Sequence, residues 1–362
     1  MSTGPILVMA GGTGGHVYPA LAVARALRAL SCDVVWLGTH RGLESRVVPA
    51  AGIDIEWINV RGLRRKGTLA MLIAPLQIGW ALLQSLGVIF RRRPAAVLGM
   101  GGFVSGPGGL AAWLTRRPLL IHEQNAAAGL TNRLLARLAR VVLQAFPGSF
   151  NSSVRAETVG NPVREDIAAI APPAERYVDR HGPVRLLVVG GSQGALALNR
   201  ALPAALAALA ADARPLVRHQ CGERTLDEAR QAYLDNGVEA ELVPFIDDMA
   251  AAYAWADLVV CRAGALTVAE LCAAGLPAIF VPYPSAVDDH QTANARPMAN
   301  AGAAVIIQES ELSPAVLAGL LRDWLQSREA LLRRAERARA LATPDSLRRI
   351  TELCLQQAGV AL

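Results

Sequence analysis

Aromatic side chains make up only 5% of this 362-residue chain, and no row of them sits among its basic residues. That argues against single-stranded nucleic acid as a partner, because such binding uses aromatic stacking platforms. The five cysteines (Cys32, Cys221, Cys261, Cys272, Cys354) are scattered, odd in number and form no CxxC pair. A disulfide framework or zinc site is therefore not expected, and a reducing cytoplasm is the natural setting. No Asp-x-Asp motif occurs, so aspartate-chelated Mg²⁺ is not expected at a diphosphate, and no metal or other cofactor is called for. Low-complexity tracts and solenoid-period repeats are missing as well, which excludes extended disorder. The first apolar strand begins within a few residues of the start, so a signal peptide is not expected.

What is present is apolar and basic. Hydrophobic residues form 52% of the chain and charged ones 18%, enough for two domains of ordinary size with a core each. A formal charge of +6 favours an anionic partner. Nucleic acid, a phosphorylated substrate or an acidic membrane surface would qualify, and the sparse aromatics count against the first.

The chain is organised around Gly11-Gly12-Thr13-Gly14-Gly15-His16, which follows Ile6–Met9 and precedes Val23, Leu27 and Leu30 at helical spacing. Strand, glycine turn and helix in that order open a βαβ unit. The turn either only reverses the chain or brings backbone N–H groups to an anion; four glycines and a histidine favour the anion. Strands are expected at Val34–Leu37, Ile53–Trp57, Ala96–Leu98, Leu119–Ile121 and Val141–Leu143, with a second glycine turn at Gly102, Gly106, Gly108 and Gly109. Residues 151–175, with three prolines and weak periodicity, read as the link between domains. Arg185–Val189 restarts the scheme, followed by Gly190-Gly191-Ser192-Gln193-Gly194-Ala195 and a helix. Further strands are expected at Leu216–Gln220, Glu241–Val243, Leu258–Val260, Ala278–Val281 and Ala303–Ile307. Helices follow at Ser313–Gln326, at Glu329–Ala342 and from Pro344 to Ala358. Such alternation predicts an α/β protein with parallel sheets in two similar domains.

Between the third and fourth strands, Thr68–Phe90 carries no charge, while Arg61, Arg64, Arg65 and Lys66 precede it and Arg91–Arg93 follow. A spanning helix would put the flanking strands on opposite sides of a bilayer, and Pro75, Gln77, Gly79 and Gln84 weaken it further. Two readings remain: a helix buried on all sides, or one lying on the membrane surface. The basic residues at both ends favour the surface helix, with anionic headgroups as partners.

Three stretches could carry chemistry. Arg262–Glu270 leaves a strand, turns at Gly264 and enters a helix. The first N–H groups there, at Ala265, Leu266 and Thr267, could hold a diphosphate, and Glu270 one turn on could accept ribose hydroxyls. Asp288-Asp289-His290-Gln291-Thr292 with Asn294 is either a sugar-hydroxyl site or a solvated loop. His122-Glu123-Gln124-Asn125 ends a strand and offers four polar groups at the mouth of a cleft.

Gly11–His16, Gly101–Gly109, His122–Asn125 with Gly129, Asn161–Arg164, Gly190–Ala195 and Arg262–Glu270 together resemble glycosyltransferase family 28. More narrowly, they are similar to its UDP-N-acetylglucosamine:lipid-linked muramyl-pentapeptide transferases of bacterial peptidoglycan synthesis. The resemblance covers about Ile6 to Ala303. It implies the GT-B fold: two Rossmann-like domains whose parallel sheets face a central cleft. Residues 1–163 would form the acceptor and membrane-associating domain, with a helix of about 344–362 packing back on it, and 164–343 the donor domain. On this resemblance Phe245 and Ile246 sit at the uracil and Glu270 at the ribose. Ser192, Arg164 and the helix start Ala265, Leu266, Thr267, Val268 and Ala269 hold the diphosphate. His290 and Gln291 read the sugar, and Thr13, Gly14, Gly15 and Asn125 reach the donor from the first domain. The acceptor, a lipid diphosphate bearing muramic acid and a pentapeptide, would meet Gly102 and Gly106. The membrane patch would comprise Leu72, Leu76, Trp80 and Trp113 with Arg64, Arg65 and Lys66. Gly79 and Leu82 depart from the pattern, standing where relatives can carry aromatics. The setting implied is the cytoplasmic face of the bacterial cell membrane, peripherally bound.

Transfer needs a base for the acceptor hydroxyl. His16 is the candidate, since imidazole is near half neutral at physiological pH, and Glu123 the reserve. An NAD-dependent dehydrogenase would carry an acid at the end of the second strand, where Gly38-Thr39-His40 stands instead. A UDP-N-acetylglucosamine epimerase would leave Thr68–Phe90 without purpose, and a non-catalytic membrane scaffold would leave His16 without one.

Overall fold

The computed structural model describes residues 4–60, 68–191, 194–284 and 289–360, with side chains throughout except at 68–74. The chain divides into two compact units, 1–162 with 345–362, and 163–344.

The first unit begins β1 (Ile6–Met9), α1 (Gly14–Ala29), β2 (Val34–Gly38), α2 (Glu44–Ala50), β3 (Asp54–Trp57), α3 (Thr68–Arg92). It continues β4 (Ala96–Gly99), α4 (Ser105–Leu114), β5 (Leu119–Glu123), α5 (Leu130–Leu135), β6 (Val141–Gln144), β7 (Ala156–Thr158). The seven strands pair in the order β3-β2-β1-β4-β5-β6-β7, and every pairing is parallel. Strands buried on both faces need continuous apolar runs, and β1 supplies one. Ile6 and Val8 pack with α1 on one face, while Leu7 and Met9 pack with α3 and α4 on the other.

The second unit starts with α6 (Glu165–Ala168), α7 (Pro173–Val178), β8 (Arg185–Val189), α8 (Leu196–Ala207), β9 (Leu216–Gln220), α9 (Leu226–Asp235) and β10 (Glu241–Val243). Then come α10 (Met249–Trp255), β11 (Leu258–Cys261), α11 (Ala265–Ala274), β12 (Ala278–Phe280), α12 (His290–Asn300), β13 (Ala304–Ile306), α13 (Pro314–Leu325) and α14 (Arg328–Ala340). Its sheet is again parallel, ordered β10-β9-β8-β11-β12-β13. In both units the order reverses beside the first strand, between β1 and β4 and between β8 and β11. Loops leaving the strands' carboxyl ends part there and leave a crevice for a ligand.

Residues 151–175 are not simply a link. Ala156–Thr158 forms β7, paired to β6, and the division between units falls after Pro162. Three residues are too few for periodicity to register, so only pairing reveals the strand. The final helix α15 (Ser346–Ala358) belongs to the first unit, where Ile350, Leu353, Cys354 and Leu355 join the core around α1.

The helix α3, uncharged from Thr68 to Phe90, is neither buried all round nor wholly on the surface. Ala81, Ser85 and Val88 are buried, while Leu76, Trp80, Leu83 and Phe90 are exposed. Two faces with different environments, both apolar, explain the long run without charge. Leu72 lies among the residues whose side chains are not described, and Arg64, Arg65 and Lys66 lie outside the described residues. Among the described residues, no helix is long and apolar enough to cross a membrane. Arg91 and Arg92, read from sequence as facing lipid headgroups, instead pair with Glu56 at 2.5 and 2.7 Å, and Arg92 lies 3.6 Å from Asp54.

Candidate active site

In the first unit the crevice is built by the turns after β1 and β4. Gly12 and Gly102 have φ of +96° and +81°, conformations that favour glycine. A Cβ on Gly102 would lie 2.2 Å from the Gly11 carbonyl oxygen, so the two turns touch. Thr13 caps α1 with an extended backbone and no side-chain hydrogen bond. Thr13 and Gly15 are exposed, and Gly14 is half-buried, as is Gly106 on α4.

A buried carboxylate that sequence reading passed over organises this turn. Glu44, at the start of α2, is fully buried and accepts from the Gly12 N–H (2.9 Å), the Thr39 N–H (3.0 Å) and the Thr39 hydroxyl (2.8 Å). A Cβ on Gly11 would sit 2.8 Å from Oε1 of Glu44, and one on Gly42 would collide with the carboxylate outright. Gly11 is therefore glycine to admit a carboxylate, and the Gly12 N–H is already engaged by one. The anion-binding capacity of this turn rests instead on the start of α1. A cavity of about 740 Å³ opens beside Gly11 and Gly12, lined by Arg41, Asn59, Leu76, Trp80 and Phe103 among others.

His16, half-buried on α1, turns its Nδ1 to Oε1 of Gln124 at 2.9 Å. Nε2 of Gln124 is 3.0 Å from Nδ1 of His122 and 3.4 Å from the His122 carbonyl oxygen. Nε2 of His122 is 2.9 Å from the Gly160 carbonyl oxygen. Burial pushes the His122 imidazole down to about 4, with the Gly160 bond and Glu123 opposing, so it is neutral at physiological pH. His122, Glu123 and Gln124 are all buried; they lie beneath the surface and not at a cleft mouth. Glu123 accepts from the Asn125 N–H (3.0 Å), Asn125 Nδ2 (3.1 Å), the Gly129 N–H (3.1 Å) and Asn132 Nδ2 (2.9 Å). Four donors saturate a carboxylate, and these tie down the loop that carries the half-buried Asn125.

In the second unit, Gly191 (φ +83°) donates its N–H to Oε1 of Gln220 at 2.9 Å. Nε2 of Gln220 donates to the carbonyls of Gly191 and Pro244, both at 3.0 Å. Gln220, also passed over in the sequence, thus ties the glycine turn to the strand end carrying exposed Phe245 and half-buried Ile246. Ser192 lies outside the described residues. The start of α11 has Gly264 as an extended cap without side-chain capping, and the positive end of the helix dipole lies there, where an anion is favoured. Ala265 and Val268 are buried, while Leu266, Thr267 and Ala269 are half-buried. One turn on, Glu270 accepts from the Tyr253 hydroxyl at 3.1 Å, and the exposed Arg164 guanidinium stands 4.0 Å away. Burial pushes the Glu270 carboxyl above its ordinary value, with Arg164 and Tyr253 pulling back. Gln291 spends its carbonyl oxygen on the N–H groups of Ala263 (3.2 Å) and Tyr283 (2.9 Å). It therefore braces the loop after β12, and its amide NH₂ has no partner among the described residues. His290 begins the same helix, half-buried.

A cavity of about 1200 Å³ in this unit lies at the opposite end of the sheet, against Leu216, Tyr233 and Trp255. It holds none of these groups.

Comparison with known proteins matches residues 6–144 to the glycosyltransferase family 28 N-terminal domain and residues 185–350 to the family 28 C-terminal domain. A relative from Alkalilimnicola ehrlichii is 60% identical, over 98% of this chain and 99% of its own length. It is described as UDP-N-acetylglucosamine–N-acetylmuramyl-(pentapeptide) pyrophosphoryl-undecaprenol N-acetylglucosamine transferase. The crystal structure of Acinetobacter baumannii MurG is 42% identical with a TM-score of 0.86, covering 98% of this chain and 99% of that one. CalG4, the calicheamicin glycosyltransferase, shares the fold at 18% identity and a TM-score of 0.68, covering 98% and 99% of the two chains.

Proposed function

The chain belongs to glycosyltransferase family 28 and has the GT-B fold, and from that premise we propose that it makes lipid II of peptidoglycan synthesis. It moves N-acetylglucosamine from UDP-N-acetylglucosamine to the muramic acid C4 hydroxyl of undecaprenyl-diphospho-muramoyl-pentapeptide. The observation that carries this reading is 60% identity, over 98% of the chain, to a transferase of that name.

The second unit is the donor unit. Phe245 and Ile246 face the uracil, Glu270 accepts the ribose hydroxyls, and the sugar hydroxyls meet Gln291 and His290. Ser192, Arg164 and the α11 start stabilise the charge that grows on UDP as it leaves. The first unit is the acceptor unit, with Gly102 and Gly106 near the lipid diphosphate and with Thr13–Gly15 and Asn125 toward the donor sugar. The exposed Leu76, Trp80 and Trp113 would rest on the membrane, which makes the protein peripheral to its cytoplasmic face. The acceptor hydroxyl attacks the anomeric carbon opposite the diphosphate. The new C–O bond forms as the bond to phosphate oxygen breaks, configuration inverts, and the hydroxyl proton passes to His16. Glu123, spent on four donors, is the poorer base.

Release of UDP is expected only when lipid acceptor is supplied. Acceptor-independent release, or an epimerised sugar, would overturn the assignment. His16→Ala should lower kcat by about 10²–10⁴-fold while leaving the donor KM within a few-fold; an unchanged kcat removes His16 as the base.

A further inference from the structure

Two backbone carbonyls set the direction of the whole His16–Gln124–His122 chain. A carbonyl can only accept a hydrogen bond. The His122 carbonyl oxygen faces one end of the Gln124 side chain at 3.4 Å, so that end is the NH₂, and its second hydrogen meets Nδ1 of His122 at 3.0 Å. Nδ1 of His122 is then an acceptor, and the proton of this neutral ring is on Nε2. There it donates to the second carbonyl, Gly160, at 2.9 Å. Both ends of His122 agree with the amide orientation that its own carbonyl requires. The remaining end of Gln124 is the carbonyl oxygen, which accepts from Nδ1–H of His16 at 2.9 Å. Nε2 of His16, with no partner among the described residues, carries the lone pair.

We propose that Gln124 and His122 are positioning residues that hold His16 as its Nδ1–H tautomer, so that Nε2 is the atom that takes the acceptor's proton. The inference deepens the reading of His16 as the base and rests on it. Imidazole in water favours the opposite tautomer, whose Nε2 already carries a hydrogen and cannot act as a base. The relay also holds the ring still, because His122 is fully buried and its far end is fixed to backbone. When His16 takes up the proton, the Gln124 carbonyl dipole remains directed at the new imidazolium, which needs no rearrangement of the relay.

The test begins without substrate. Nitrogen-15 NMR of the full-length, histidine-labelled protein distinguishes a protonated from an unprotonated Nδ1. The chain has six histidines, and the His16 signals are those lost in His16→Gln. A protonated Nδ1 with an unprotonated Nε2 at neutral pH is expected; the reverse overturns the relay, whatever the turnover experiments show. Gln124→Met keeps the side-chain length and removes all three side-chain hydrogen bonds. It should shift His16 to the Nε2–H tautomer and lower kcat at least tenfold, with both KM values within threefold. Gln124→Glu, which restores an acceptor to Nδ1 of His16, should recover at least fivefold in kcat over Gln124→Met. Equal losses in the two variants, or an unchanged kcat in Gln124→Met, overturn the proposal. Should Gln124→Met fail to fold, the wild-type tautomer and the Gln124→Glu rate still decide it. A correct tautomer with full activity in His16→Ala would remove the base assignment and, with it, the purpose of the relay.

Discussion

On the proposed reading Glu270 accepts two ribose hydroxyls, which asks a carboxylate to be both ionised and held still, and these demands conflict. Burial that fixes the group also pushes its carboxyl above the ordinary value, while Arg164 and the Tyr253 hydroxyl pull it back. Such a group takes up a proton at a higher pH than a free glutamate. The donor KM should therefore begin to rise on acidification before the ordinary glutamate range is reached, and Glu270→Gln should flatten that rise while weakening donor binding throughout. A wild-type KM that stays flat from neutral to mildly acid pH would contradict it. On folding the sign is opposite. The native state holds this proton more tightly than the unfolded chain, so the group's stabilising contribution is full below the unfolded pKa and lost as pH rises through the folded one. Tyr253→Phe removes one hydrogen bond worth about 1 kcal/mol and should raise the donor KM about fivefold with kcat preserved. Glu270 was readable from its place beyond a helix start. Tyr253 was not, because it lies 17 residues away and only the packing of α10 against α11 brings it near. Glu44 and Gln220 escaped for the same reason: the turn glycines they hold, Gly12 and Gly191, are 32 and 29 residues distant.

At the scale of an element, α3 shows two apolar faces with different tasks. Residues 76, 80 and 83 recur at helical spacing and are exposed, as are Trp113 and Leu114 on the adjoining α4. Ala81, Val88 and Ile89 anchor the other face in the core. An exposed apolar stripe on a protein whose acceptor carries a lipid fits a surface that enters the headgroup boundary. Changing Leu76 and Trp80 together to glutamine should weaken sedimentation with anionic phospholipid vesicles at least tenfold, since burying each such side chain stabilises by about 1.5–3 kcal/mol. Unchanged binding would exclude this face as the membrane contact. Reversing Arg91 or Arg92 would be a poor test, because their bonds hold Glu56 of β3. Burial raises the Glu56 carboxyl, but those bonds more than offset it and leave it below the ordinary value.

Across the whole molecule, the two units repeat one device. In each, a buried acceptor at or just beyond the second strand, Glu44 or Gln220, takes the N–H of a glycine in the turn after the first. The turn is thereby fixed before any ligand arrives, so less order has to be gained on binding. The last helix ties the chain's end into the first unit: Leu355 of α15 is buried in the core around α1 and β1. Leu355→Ala should cost about 2–5 kcal/mol, read as faster amide exchange in β1 with β8 unaffected. Loss of protection in β8 alone would contradict the placement of α15.

The sequence by itself determined the alternation of strands and helices, the glycine turns, and the place of Gly11–His16 and Arg262–Glu270 at strand ends. These follow from backbone sterics and hydrophobic periodicity within a few residues of chain. Tertiary structure alone decided the short strand β7, the exposed face of α3, the carboxylate inside the first glycine turn and the direction of the relay beneath His16. Each depends on burial and on partners far apart in sequence. The proton on a histidine, above all, is placed by what its neighbours can accept, and no spacing of residues along the chain records that.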